Sequence, residues 1–137
     1  MQVTATHLTN WSDKRVAQEV LPVLIRRLIS STSQLKALSV PGGDSVNTPG
    51  WDGVVDAAQG NAWVPTGLSY WEFGTSRKPS DKATEDFKKR LEQVSSAEAK
   101  AASFVFLTSR RWPKKKAWCE KMSSQGCWRE VLVWDAD

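Results

Sequence analysis

WDGVVDAAQGNAWVPTGLSYWEFG, residues 51–74, is the stretch that decides the fold. Two short runs rich in β-branched and aromatic residues, 51–57 and 67–74, flank AQGNAWVPTG, which contains Gly60-Asn61 and Pro65. Breakers of that kind between two such runs predict an antiparallel hairpin. Upstream, LKALSVPGG adds a third short strand at about 36–40. From there to residue 76, glycine and proline recur too often for a helix.

Working outward, residues 12–31 read as a helix. Ser12 is the candidate cap, and Val16, Val20, Val23, Leu24 and Leu28 form an apolar face at helical spacing. Pro22 should kink that helix or start a second segment. After the hairpin, TSRKPS (75–80) ends on Ser80, a second candidate cap. Ala83, Phe87, Leu91 and Val94 then mark an amphipathic helix to about residue 95, which SSAEAKAA extends or frays. SFVFLTS (103–109) is a continuous apolar run, the signature of a buried central strand. A basic loop and a short helix closed by Gly126 follow, and 127–137 alternates as a last strand. The order α-βββ-α-β-α-β predicts an α/β domain, a mixed β-sheet flanked by helices.

The 137 residues fit one domain, 1–137, large enough to fold without disulfides or a structural metal. The stop directly after a strand predicts that this is the N-terminal part of a longer protein. No apolar run is long enough for a membrane span and no leader pattern opens the chain, so a cytoplasmic location is the default expectation. Cys119 and Cys127 lie eight residues apart and His7 is the only histidine, which argues against a Cys/His zinc site. His7, near the terminus, reads as a surface residue. The charge is uneven: residues 1–75 carry five Lys/Arg against six Asp/Glu, whereas 76–137 carry fourteen against nine. A basic second half suits an anionic partner. Most of the eight tryptophans are expected in or at the edge of the core.

Asp52 and Glu72 lie on the two arms of the hairpin, where opposed side chains sit about 5 Å apart. Two carboxylates brought together there suit Mg²⁺, which prefers oxygen ligands and phosphate. Gly50, Gly53 and Gly74 beside them would let a phosphate backbone approach. The plainer reading makes Asp52 a turn residue and Glu72 an exposed strand residue, and a single bulge would turn either one away.

The N-terminal helix, the hairpin bearing Asp52 then Glu72, the following helix and the later strand together resemble the PD-(D/E)XK nuclease superfamily, the restriction-endonuclease-like fold. PGGDSVNTPGWDG, VPTGLSYWEFGTS and DKATEDFKKR are similar to nuclease-like N-terminal modules of bacterial anti-phage defence proteins. The resemblance implies a Mg²⁺- or Mn²⁺-dependent DNA endonuclease, with Asp52, Glu72 and the Phe73 carbonyl at the metal. The family usually has a lysine two residues after the second acid, and here that position is Gly74. Lys82, on the next helix, is the expected substitute and Lys78 the second choice; alternatively, Lys82 is a surface residue paired with Asp86 at i+4. Glu19 is a candidate outer ligand or a solvated helix residue. Without an effective lysine, the implied alternative is an inactive relative that binds nucleic acid or a protein partner. Self-association is open on either reading.

RRWPKKK (110–116) follows the central strand. Arg110, Arg111 and Lys114 are candidate phosphate contacts, and Trp112 is a candidate base-stacking residue. In the alternative reading, the lysines are ordinary solvated surface and Trp112 is core.

Overall fold

The computed structural model describes residues 2–40 and 51–137. The chain runs α1 (Ala5–Ser12), α2 (Ala17–Thr32), β1 (Gln34–Ser39), β2 (Gly53–Gln59), β3 (Gly67–Gly74), α3 (Pro79–Leu91), α4 (Ser96–Lys100), β4 (Ser103–Thr108), α5 (Lys115–Ser123) and β5 (Glu130–Trp134). The five strands form one sheet in sequence order. β1–β2 and β2–β3 are antiparallel, and β3–β4 and β4–β5 are parallel. The expected hairpin is present, and the fold is a mixed α/β domain with a five-stranded mixed sheet flanked by helices. Gly50 falls within residues 41–50 and lies outside the described residues.

Every residue of β4 is buried, because the strand has a neighbour on each side and helices on both faces. Alternation along the strands then sorts the core into two layers. Phe104 and Phe106 face Ala83 and Phe87 of α3 and Trp118 and Met122 of α5. Val105 and Leu107, with Trp71 and Phe73, face Leu21, Ile25 and Ile29 of α2. The tryptophans lie in or at the edge of the core, as expected: Trp71, Trp112, Trp118 and Trp128 are buried, and Trp11, Trp51, Trp63 and Trp134 pack half-buried against it.

The N-terminal helix departs from expectation in two ways. Ser12 does not start a helix but ends one. Thr4 caps α1: its hydroxyl accepts from the His7 N–H, and its own N–H donates to His7 Nδ1. The only histidine is therefore part of a helix cap. Ser12 is buried, with its hydroxyl against the Leu8 carbonyl and Ser109 Oγ. The second departure is the face that α2 buries. Leu21, Pro22, Ile25 and Ile29 pack inward, while Val16, Val20, Val23, Leu24 and Leu28 stay exposed. Both faces of α2 are apolar, so periodicity alone could not choose between them. The helix continues through Pro22, and the proline's missing N–H leaves the Gln18 carbonyl without its i+4 donor.

Other differences are local. α3 begins at Pro79 after Lys78 rather than at Ser80, and proline suits the first turn because no partner is needed there for its absent N–H. SSAEAKAA forms its own short helix, α4, with a capping box between Ser95 and Glu98. Gly126 closes the segment after α5 with φ 68°, the left-handed conformation glycine tolerates best.

The choice of face on α2 can be checked at two adjacent residues. Ile25→Ala should destabilise the domain by about 2–5 kcal/mol, whereas Leu24→Ala should change stability by no more than about 0.5 kcal/mol. Denaturant midpoints measure both, and equal losses would reverse the assignment of faces.

Candidate functional site

The register that pairs Gly53 with Trp71 places Asp52, one residue before β2, opposite Glu72. Two backbone facts hold the pair. Asp52 Oδ2 accepts the Phe73 N–H at 2.9 Å, anchoring the aspartate across the strand end. Glu72, with Tyr70, points to the α3 side of the sheet and is only 1% exposed. A cavity of about 150 Å³ opens at this point, lined by Asp52, Glu72, Phe73, Gly74, Lys82 and Arg90, with Gln18, Leu21 and Pro22 of α2 as its far wall. That volume holds a few waters or a hydrated ion, at about 30 Å³ per water.

Gly53 and Gly74 make room for protein, not for phosphate. A Cβ on Gly53 would lie 3.2 Å from Trp71 Cβ. One on Gly74 would lie 3.0 Å from Phe106 Cζ and 3.2 Å from Lys82 Cγ. The Lys82 stem therefore crosses directly above Gly74. A side chain at that strand position and the helix lysine compete for one space, and glycine resolves the conflict in favour of Lys82.

α3 carries a row of charged groups over the acids at i, i+4 and i+8: Lys82, Asp86 and Arg90. Lys82 Nζ lies 2.8 Å from Asp86 Oδ1, so both readings of Lys82 hold together: it lines the cavity and it pairs with Asp86. The Asp86 side chain is 4% exposed, and its Oδ2 has no partner among the described residues. Arg90 donates from Nε to Glu72 Oε1, rests on the Trp51 ring at 5.7 Å and donates from Nη1 to Gln93. Arg90 and the burial of Asp86 were not anticipated. The i+4 and i+8 spacing from Lys82 was visible in the sequence, but nothing there marked that face of α3 as the one turned toward Glu72.

Burial pushes the Glu72 carboxyl up to about 9, reinforced by the hydrogen bond and charge of Asp52; Arg90 opposes this without overcoming it. Asp86 is also raised, chiefly by desolvation, against the pull of Lys82. Glu72 is thereby held toward its protonated form at neutral pH.

The remaining candidates divide. Glu19 is exposed and does not line the cavity; its neighbour Gln18 does. Lys78 is exposed and lines a different groove, with Lys114 and Arg111. Arg110 is largely buried as an internal clasp: Nε donates to the Thr75 carbonyl at 2.8 Å and Nη1 to Asp13 Oδ1 at 2.8 Å. This clasp holds the Asp13 carboxyl below its usual range. Trp112 cannot stack on a base as drawn from the sequence. It is 5% exposed and packs against Phe106 and Trp118. Its backbone N–H donates to Asp135 Oδ2, tying the loop to the chain after β5. Arg111 and Lys114 remain on the surface. Phe73 lines the cavity, with its N–H turned to Asp52. No group of three or more His, Cys, Asp or Glu among the described residues forms a metal cluster.

No family model, curated protein or solved structure matches the chain.

The Glu72 shift has a defined consequence for stability. Its folded pKa exceeds the ordinary value of 4.5, so the folded state holds the extra proton between about pH 4.5 and 9. The stabilisation is complete below pH 4.5 and is lost as pH rises toward 9, with Asp86 contributing in the same direction. In chelator-containing buffer, melting temperature should fall between pH 5 and 9, and Glu72→Gln should flatten that fall. Parallel curves for the two proteins would show that Glu72 ionises normally.

Proposed function

We propose that this domain is a divalent-metal-dependent nuclease of the PD-(D/E)XK type, hydrolysing DNA phosphodiester bonds as an effector in bacterial anti-phage defence. The observation that carries the reading is the meeting of Asp52, Glu72 and Lys82 at one cavity, with the lysine stem lying over Gly74. The order of helix, antiparallel strands, helix and parallel strand supports a restriction-endonuclease-like topology.

The donor set fits Mg²⁺ or Mn²⁺. Burial and the neighbouring Asp52 favour the protonated form of Glu72 even with Arg90 beside it, and a hard cation would take that proton's place. Asp52 and Glu72 would hold the ion, with Phe73 at the same rim. When bound, it would lower the pKa of a coordinated water and stabilise charge on the phosphate. Asp52 is oriented by the Phe73 N–H. Lys82, fixed at its tip by Asp86, would bring positive charge to the attacking water and the phosphate. Arg90 holds the Glu72 carboxyl in place, its guanidinium steadied on Trp51. Exposed Arg77 and Arg111 line a groove beside the Arg110–Thr75 clasp, next to the site, and give the flanking phosphates a cationic path.

The hydrogen bond from Arg90 to Glu72 favours a second reading. An arginine bonded to the second acid supplies positive charge without a metal, as suits a relative that binds nucleic acid and does not cut it.

Plasmid nicking in Mn²⁺ separates the two. Asp52→Ala, Glu72→Ala and Lys82→Ala should each lower the rate by at least about 10²-fold while retaining the fold by circular dichroism. Cutting that persists in the Asp52 and Glu72 variants would refute the nuclease assignment. Binding without cutting would support the second reading. For binding itself, Arg111→Ala and Lys114→Ala should each lower the log–log salt slope by about one, since each removes a phosphate contact.

A further inference from the structure

Among the described residues, six large apolar side chains are exposed, and five of them lie on one helix: Val16 (47%), Val20 (40%), Val23 (38%), Leu24 (42%) and Leu28 (42%), at or within α2. The sixth, Val3, precedes α1. Scattered exposed aliphatics need no explanation, but a stripe of five along four helical turns does. It is not a remnant of core packing, because α2 already buries Leu21, Ile25 and Ile29 on its opposite side.

The stripe has an internal pattern. Val16, Val20, Leu24 and Leu28 form one i, i+4 row, entirely aliphatic. Beside it runs a second row of the same spacing: Glu19, Val23 and Arg27, reading acid, apolar, base. That second row is its own complement when reversed. When two such helices pack antiparallel, each flanking row meets the same row of the other helix. With Val23 of both helices at the twofold axis, Glu19 of each copy stands opposite Arg27 of the other. Both ion pairs form at once, and the two aliphatic rows close between them.

We propose that the exposed face of α2 is a homodimer interface, an antiparallel pairing of two copies of this chain about a twofold axis near Val23. The aliphatic stripe offers about 300 Å² per copy, well under the ~800 Å² per partner of a tight complex. The dimer is accordingly weak and concentration-dependent, with dissociation in the micromolar range or above. Pairing by an isologous surface closes at two copies and does not propagate. The far wall of the Asp52–Glu72 cavity is the same helix, so the dimer sets two such cavities on either side of one helix pair. The inference rests on α2 alone and does not depend on the nuclease reading.

Sedimentation velocity of the 137-residue chain, from about 1 μM to about 500 μM, is the first test. A monomer–dimer equilibrium is expected. Leu24→Glu, at an exposed position, should leave the melting temperature unchanged and abolish the dimer. The register has its own test. Glu19→Arg and Arg27→Glu should each be monomeric alone, through two like-charge contacts, yet form a heterodimer when mixed, because each chain then meets the opposite charge. Monomer at every concentration overturns the proposal, and so does a dimer indifferent to Leu24→Glu. A dimer that survives either single charge change, or singles that fail to pair on mixing, overturns the antiparallel arrangement.

Discussion

The register of β2 against β3 is the constraint on which the site depends. Gly53 opposite Trp71 puts Asp52 opposite Glu72, and slipping by one residue would send Glu72 to the α2 side of the sheet. That register is strongly held because Trp71 is fully buried on the α2 side, with its indole N–H donated to Ser69 Oγ at 2.8 Å. A slip would drive the indole out of one core and a carboxylate into it. The hydrophobic core thus enforces the meeting of two acids that repel one another.

The cost of that meeting is met from α3. Lys82, Asp86 and Arg90 stand one turn apart on the face above the sheet: Arg90 bonds Glu72, and Lys82, paired with Asp86, lines the cavity beside both acids. Arg90 opposes the burial penalty on Glu72 without overcoming it, so the carboxyl is held toward its protonated form. Gly74 belongs to the same device, since the space its missing side chain leaves is where the Lys82 stem passes. The site is therefore a joint product of one hairpin and one helix, with α2 as its outer wall.

Much of this was legible in advance. The hairpin, the buried central strand, the helix after β3 and the Asp52–Glu72 pairing all follow from local signals: breakers between two short runs, a continuous apolar run and i, i+4 spacing. Lys82 was marked by its closeness to the strand end. Three of the readings that failed did so for physical reasons that no local pattern carries. α2 is apolar on both sides, so its periodicity named a face without saying whether that face was the inner one. Trp112 sits in a basic loop that looks like a nucleic-acid surface, but Phe106 and Trp118 claim its ring. Arg110 has the same setting, yet Asp13 and the Thr75 carbonyl, distant in sequence, take its guanidinium.

By itself, the sequence determined the strands, the helices between them and which two acids share a hairpin, because those follow from residue spacing and turn chemistry along a short length of chain; it did not separate α1 from α2. Only the tertiary structure decided which groups stand over those acids and which aliphatic row faces water. Arg90 reaches Glu72 because parallel pairing of β3 with β4 forces the chain to cross back over one face of the sheet, carrying α3 with it. Direction and handedness of such a crossing are properties of the whole sheet, and no single segment encodes them.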